Sequence, residues 1–368
     1  MIKTTAIKLR DHLPLLVTWD MLRRCNFDCT YCGSSRHDTH SPLPGLEELK
    51  NTFDFIYKYT ELYNSKRTKY TTTNIDFTGG EPTANPAFWP LIDYIKTHDN
   101  MFLGITTNGS WGTQFTQRIL DSFKHVTISW HAEAPKHLKN RTLDNIQILF
   151  ENKVDLQVNV MLHCDYFEEA KTICESLKAQ GVNVNPTPIG DGTIARKGWF
   201  IDADGTNRRT SQEYTIDQQN WFFNFMGQKN PAVTSSEGTN IGRACCGGRC
   251  TEGKVDEEWQ EVKLVDNRFK DWYCTINWYF LHVEQPSGNV FHHQTCQATH
   301  TGIGPIGNLS NTQLILDNTT AMLNQSSMPS IICPNQRCGC GMCVPKAKEF
   351  TDFKNLWETT TIIPIYEQ

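Results

Sequence analysis

Three cysteines, Cys25, Cys29 and Cys32, stand in the stretch CNFDCTYC, separated by three and then two residues. Thiolates so closely spaced can converge on one inorganic centre, because the chain between them is only long enough to wrap it. Iron–sulfur clusters are usually held by four cysteines, so three leave one iron open. An open position is how a protein lets a bound metal take a further ligand, as catalytic zinc sites do with their fourth position. Spacing alone does not fix the metal, and a zinc site completed by His37 or His40 would use the same three sulfurs.

A second segment, Phe77 to Thr83, reads FTGGEPT. Gly79 and Gly80 let a backbone pass close to a ligand, and Glu81 offers a carboxylate that can accept hydrogen bonds from an amino group. Such a turn is ordinary by itself. Its weight comes from its place at the end of the strand after the cysteine loop, on the face where barrel enzymes keep their active sites. Nine more cysteines lie between 245 and 343: Cys245, Cys246 and Cys250 in ACCGGRC, Cys274 and Cys296 around a predicted hairpin with arms 278–283 and 288–291, and Cys333, Cys338, Cys340 and Cys343 in CPNQRCGCGMC. A hairpin with a thiolate at each end, joined by a later cysteine-rich knot, can make a closed four-ligand site, and nine thiols could serve two. Structural zinc is compatible with the same pattern.

These residues need elements to hold them. The first half of the chain alternates β-rich runs with amphipathic stretches, which predicts βα units and a parallel sheet. Predicted strands cover 13–22, 74–78, 102–107, 126–130, 156–162 and 182–186, and predicted helices cover 45–64, 86–98, 113–123, 140–151 and 166–180. Asp165 is expected to cap the last helix and Gly181 to end it. The fold class that follows is α/β, a partial (β/α)6 TIM-like barrel open at one side. Regularity fades after Pro188, although 211–225 is expected to form a helix. The resulting division is a partial barrel over 1–188, a linker with a helix over 189–243, and a small Cys-rich auxiliary cluster domain over 244–368.

A length of 368 residues exceeds the roughly 250–300 that a single core usually supports, which agrees with two domains. The net charge of −5 gives no concentrated basic face, so nucleic acid is not an expected partner. No apolar run approaches the roughly 18–20 residues that span a bilayer, so no membrane association is expected. Lys3, Lys8, Arg10, Asp11 and His12 occupy the place of a secretory signal's apolar segment, and the expected location is the cytoplasm. In that reducing compartment 14 cysteines read as metal ligands rather than disulfides. Cys164 and Cys174 stand apart from both groups and read as small buried apolar side chains.

With CNFDCTYC and GGEP in this order and about 50 residues apart, the chain over 13–188 resembles the radical S-adenosylmethionine (SAM) superfamily. The resemblance implies that Cys25, Cys29 and Cys32 hold a [4Fe–4S] cluster whose fourth iron binds the amino nitrogen and carboxylate of SAM. It places Tyr31 against the adenine and Gly79, Gly80 and Glu81 at the methionyl amino group. Thr107 and Asn108 in TTNGS, and Ser129 in ISWHAE near the ribose, match positions of polar contact with SAM. Turn or strand-end structure accounts for those three equally well. Asn159 and His163 are further candidates, for the SAM carboxylate side and the substrate pocket. As lone histidines, His131, His137 and His163 read first as satisfied structural residues.

The later cysteines, with IGNL between them, resemble SPASM and twitch extensions, which implies one or two auxiliary [4Fe–4S] clusters. Two departures keep the ligands from being assigned singly: seven residues rather than four separate Gly288 from Cys296, and the last group has intervals of four, one and two. The activity implied is reductive cleavage of SAM to a 5′-deoxyadenosyl radical that abstracts a substrate hydrogen. The expected outcome is oxidative modification or cross-linking of a peptide or protein, with flavodoxin or ferredoxin as electron donor. Oxidation or rearrangement of an aminosugar- or nucleotide-like small molecule is the alternative within the superfamily. A non-catalytic iron–sulfur or zinc protein is the alternative outside it, disfavoured by GGEP because an electron carrier has no need of a SAM pocket.

Overall fold

In the computed structural model the described residues are 6–7, 15–32, 38–65, 72–189, 214–227, 270–274, 276–293, 296, 304–324, 330–334 and 346–347. The chain divides into two compact units, one of residues 19–49 and 75–239, the other of residues 1–18, 50–74 and 240–368. Among the described residues, the strands before residue 190 are β1 (Ala6–Ile7), β2 (Leu15–Asp20), β3 (Thr73–Thr78), β4 (Met101–Thr107), β5 (His125–Trp130), β6 (Asp155–Leu162) and β7 (Val184–Pro188). Helices α1 (Leu46–Asn64), α2 (Phe88–Ile95), α3 (Thr116–Ser122), α4 (Lys136–Glu151) and α5 (Phe167–Ala179) alternate with them.

Strands β2 to β7 follow one another in the sheet order β2-β3-β4-β5-β6-β7, and β4 to β7, all within the first unit, pair in parallel. Their register is set by pairs such as Ile105↔Val126, Ile128↔Val158 and Asn159↔Asn185. This is the open (β/α)6 arrangement expected from the alternation of elements. Burial alternates along the strands: in β5, Val126, Ile128 and Trp130 are buried while Thr127 and Ser129 are only half-buried. Parallel sheets covered on both faces usually read as continuous apolar runs. Here burial alternates instead, the apolar face meeting the helices and the polar face staying half-buried.

The helices supply their half of the core at helical spacing. Thr142, Asn145, Ile146 and Leu149 of α4 are buried, as are Phe167, Ala170, Cys174 and Leu177 of α5. Phe88 lies edge-on to Phe77, centroids 5.8 Å apart, and stacks on Phe123 at 6.1 Å, tying α2 to β3 and to the residue after α3. Asn145 is the one fully buried amide of α4's inner face. Its Nδ2 donates to the carbonyls of Gly109 (2.8 Å) and Trp111 (3.1 Å), and its Oδ1 accepts from Thr116 Oγ1 (3.2 Å).

Several boundaries differ from expectation for local reasons. α4 starts at Lys136 rather than Asn140, because Pro135 in extended conformation opens the helix at once. Asp165 does not cap α5: it lies inside a 3-10 turn, Cys164–Tyr166, whose own cap is the His163 ring accepting from Asp165 N. Cys164 is only half-buried in that turn, whereas Cys174 is buried. Gly181 ends the helix with φ 90°. β7 lies two residues later than predicted and contains Pro186 and Pro188, which its terminal place in the strand order tolerates. The predicted helix over 211–225 begins at Ile216, where Thr215 and Gln218 form a capping box; this is α6 (Ile216–Phe225). Residues 211–213 lie outside the described residues.

The second unit contains β8 (Tyr273–Cys274), β9 (Phe280–Glu284), β10 (Asn289–Phe291), β11 (Gly307–Asn308), β12 (Ile331–Ile332) and β13 (Lys346–Ala347). β9 and β10 form the predicted hairpin, with Val283 opposite Val290 and Gly288 in the turn at φ 72°. Its first arm starts at Phe280 rather than Trp278, since Ile276–Tyr279 form a short helix. From residue 50 onward α1 belongs to this unit: Thr52 Oγ1 donates to Gln285 Oε1 (2.8 Å) and Tyr63 OH to the Asn277 carbonyl. No helix of the described residues is long and apolar enough to cross a membrane.

Replacing Asn145 by Leu keeps the volume but strands two carbonyls and a hydroxyl in the core. The cost should be about 3 kcal/mol of unfolding free energy, read as a lower urea midpoint at unchanged slope.

Candidate active site at the carboxyl ends of the strands

The cysteine loop leaves β2 through residues 21–24, and the end of β3 continues to bond along it. Met21 N donates to Thr78 O (2.9 Å), Gly80 N to Leu22 O (2.6 Å) and Glu81 N to Arg24 O (3.1 Å). So close an approach leaves no room for side chains. A Cβ on Gly80 would lie 2.1 Å from Arg24 O and 2.5 Å from Arg23 O, and one on Gly79, whose φ is +123°, 2.4 Å from Leu22 O. The two glycines therefore admit the root of the cysteine loop itself. The loop closes on its own neck: Cys25 N donates to Asp38 O (2.8 Å) and Asp38 N to Arg23 O (3.0 Å). Hydrogen bonds from Ser41, side chain and backbone, hold the Asp38 carboxyl down at about 2.

Within the loop Phe27, Cys29 and Ala134 form a small buried core, with Cys25, Tyr31, Cys32 and Leu138 packed against it. Burial pushes the Cys25 and Cys29 thiols up to about 12. On Cys25 the neighbouring Glu81, Cys29 and Cys32 act in the same direction. Sulfurs gathered this way stay protonated until a cation is supplied, and binding a metal centre releases their protons. The donor set thus suits an iron–sulfur cluster or another thiophilic centre held by one loop. His37 lies outside the described residues, and His40 is exposed, with its N–H donating to Asp38 Oδ1 at 3.0 Å.

Glu81 is buried beneath this loop and is engaged through both oxygens. Oε1 accepts from Thr107 Oγ1 (2.7 Å) and from the Thr83 amide (3.1 Å) and hydroxyl, and Oε2 accepts from Asn108 N (2.7 Å). Burial raises its pKa while these hydrogen bonds, that of Asn108 foremost, oppose the rise. Asn108 in turn donates to Asn26 Oδ1 (2.7 Å) and approaches Cys25 Sγ at 3.9 Å, and Asn26 donates to Ser110 Oγ (2.9 Å). Cys25, Gly79, Gly80, Glu81, Thr107 and Asn108 are therefore one connected group. Asn26 and Ser110 complete it, and only their positions inside the two motifs could have suggested them.

Tyr31 stacks on His131, centroids 6.0 Å apart and planes at 17°, and lies tilted at 6.0 Å from His163. Its hydroxyl meets His131 Nδ1, which is also 3.6 Å from Cys29 Sγ. Burial raises the Tyr31 phenol far above its ordinary range. His131 and His163 thus flank the cysteine loop, which their isolation in the sequence did not reveal, while His137 is exposed on α4. Ser129, Asn159 and Asn185 are paired in register across β5, β6 and β7 on the polar face of the sheet. Asn159 Oδ1 accepts from both Gln157 Nε2 and Asn185 Nδ2 at 2.9 Å.

In the second unit Cys274, Cys296 and Cys333 are buried. β8 and β12 pair Cys274 with Ile331 and Tyr273 with Ile332, and Cys333 N donates to Trp272 O (2.9 Å). Cys274 and Cys333 therefore share one face as diagonal neighbours, at a Cα separation of about 7–8 Å. Cys245, Cys246, Cys250, Cys338, Cys340 and Cys343 lie outside the described residues.

Gly80→Ala should displace the 22–24 backbone. We expect a loss of at least about 3 kcal/mol in urea unfolding, whereas Gly45→Ala, with nothing within 4 Å of the added carbon, should change stability by less than about 0.5 kcal/mol.

The Mycofactocin maturase MftC of Mycobacterium tuberculosis (strain CDC 1551 / Oshkosh) is 28% identical over 96 residues, 26% of this chain and 22% of that protein. The protein of the same name from Mycobacterium ulcerans (strain Agy99) is 27% identical over 96 residues, 26% of this chain and 23% of its own length. The match thus spans less than a quarter of either relative. Among solved structures, Streptococcus suis SuiB bound to the precursor peptide SuiA aligns with a TM-score of 0.48 at 11% identity, over 82% of this chain and 64% of that one. Native anSMEcpe with bound AdoMet aligns with a TM-score of 0.47 at 12% identity, over 94% and 96%. The family model described as Radical SAM superfamily matches residues 19–187, the span that holds the cysteine loop, the Gly-Gly-Glu turn and β3 to β7. Over that segment, a little under half of the chain, the protein is similar to the radical SAM superfamily.

Proposed function

We propose that the protein cleaves SAM reductively at a [4Fe–4S] cluster held by Cys25, Cys29 and Cys32 and abstracts a hydrogen atom from a peptide substrate. The observation that carries this reading is the junction of the three-thiol loop with the Gly-Gly-Glu turn at the carboxyl ends of a parallel sheet. Bound there, the cluster supplies the electron that splits SAM into methionine and a 5′-deoxyadenosyl radical. The chain's own residues do the rest. Tyr31 offers an aromatic face to the adenine, and Gly79, Gly80 and Glu81 lie where the methionyl amino group is expected. Thr107, Asn108, Ser129 and Asn159 supply polar groups around them.

The substrate assignment rests on the polar face of the sheet and on the maturase relatives. Gln157, Asn159 and Asn185 present an amide row, and amides suit the alternating donors and acceptors of a peptide backbone. A short peptide bound there would place one side chain toward the radical and gain reactivity from position alone. The diagonal thiols Cys274 and Cys333, with Cys296 and the later cysteines, support one or two auxiliary clusters in the second unit. These cysteines would hold a centre able to accept an electron from a substrate radical, as a net oxidation or cross-link requires. Flavodoxin or ferredoxin in the cytoplasm is the fitting reductant.

Anaerobic reconstitution with iron and sulfide, followed by SAM and dithionite, should yield 5′-deoxyadenosine from the parent chain. Cys29→Ala should reduce that yield by at least about a hundredfold while leaving iron bound elsewhere in the chain. Equal 5′-deoxyadenosine from both would contradict the ligand assignment.

A further inference from the structure

Thr30, between Cys29 and Tyr31, points both of its donors at one carboxylate: Thr30 N donates to Glu133 Oε2 (2.9 Å) and Thr30 Oγ1 to Glu133 Oε1 (2.7 Å). Glu133 belongs to the turn that follows β5. Its Oε1 also lies 3.5 Å from His163 Nε2, at the end of β6. The tautomer of His163 follows from its other nitrogen. Nδ1 accepts from the Asp165 amide at 3.2 Å, which leaves the ring hydrogen on Nε2, the nitrogen 3.5 Å from the carboxylate. Asp165 N–H, His163, Glu133 and Thr30 thus form one chain of donors and acceptors, which fastens the cysteine loop to two strand ends.

We propose that Glu133 is a positioning residue for the cluster loop, with His163 orienting its carboxylate and Thr30 receiving its grip between the second and third cysteines. This rests on the reading of Cys25, Cys29 and Cys32 as cluster ligands. The root of the loop is fixed at residues 22–24 by the glycine turn, but Cys29 and Cys32 lie beyond that point. Glu133 supplies the second anchor, and a loop held at two places keeps its sulfurs at fixed distances while the remaining iron exchanges ligands. Acceptance of two charge-assisted hydrogen bonds by one carboxylate gives direction as well as strength.

The test uses the full-length chain, reconstituted anaerobically. Glu133→Ala should release iron to a chelator about tenfold faster than the parent, a factor that corresponds to ~1.4 kcal/mol. It should also broaden or shift the electron paramagnetic resonance signal that responds to SAM. Glu133→Gln, which keeps one acceptor oxygen, should fall between the two. Thr30→Val, which loses the Oγ1 bond and keeps that of the amide, should release iron faster by a smaller factor, and adding it to Glu133→Ala should bring no further change, because Glu133→Ala already removes both bonds. Asp155→Ala is the control: Asp155 accepts from His125 Nδ1 at 2.7 Å at the opposite ends of β5 and β6, so its loss perturbs the same strands away from the loop. Iron release and the SAM-responsive signal should be unchanged in that variant. Parent-like behaviour of Glu133→Ala, equal effects of Glu133→Ala and Asp155→Ala, or additive effects of the Thr30 and Glu133 changes would each overturn the proposal. Failure of the cluster reading would show in the parent chain itself, as no iron bound through Cys25, Cys29 and Cys32, and would remove the ground for both.

Discussion

The contact on which the site depends is backbone against backbone. Gly79 and Gly80 bring the end of β3 within hydrogen-bonding distance of residues 22–24, the root of the cysteine loop. No side chain fits in that space, since a single added carbon at either position would sit less than 2.5 Å from a carbonyl oxygen. The consequence is geometric. The loop cannot swing away from the strand ends, so three thiols, a buried carboxylate and the Thr107–Asn108 turn are forced into one small volume.

Burial then sets the chemistry of that volume. Thiols pushed up to about 12 are inert as they stand, and a carboxylate beside them makes ionisation harder still. Only a strongly sulfur-seeking positive centre can reverse this, and it does so by displacing protons. The same burial explains why Glu81 is satisfied from three residues: an unpaired carboxylate at 1% exposure would cost far more than the turn could supply. Glu81 thereby serves as the keystone between β3 and β4, whatever else it meets when a ligand is present. The polar face of the sheet extends from this point through Ser129, Asn159 and Asn185, paired in register across β5, β6 and β7.

Much of this was legible in the sequence because it is written in short-range spacing. CNFDCTYC and GGEP carry their meaning within a few residues, and the alternation of β and α elements needs only hydrophobic periodicity. What was not legible depends on approach in space. His131 and Glu133 follow β5 in a run, HAE, that has no distinguishing pattern, yet they close on Tyr31, Cys29 and Thr30 from about a hundred residues away. The glycines were expected to give room to a ligand, and they give it first to the protein's own chain. Asp165 was expected to cap a helix, but the ring of His163 reaches the amide first and starts a 3-10 turn instead. In each case a tertiary partner outcompeted a local one, which no window of sequence contains.

The central claim is that three sulfurs leave one iron of the cluster free to bind SAM. Mössbauer spectroscopy of protein reconstituted anaerobically with isotopically labelled iron tests it most directly. The account predicts that one iron of the cluster held by Cys25, Cys29 and Cys32 changes its isomer shift when SAM is added, while the other three do not. A spectrum indifferent to SAM, or zinc in place of iron at these cysteines, would contradict it.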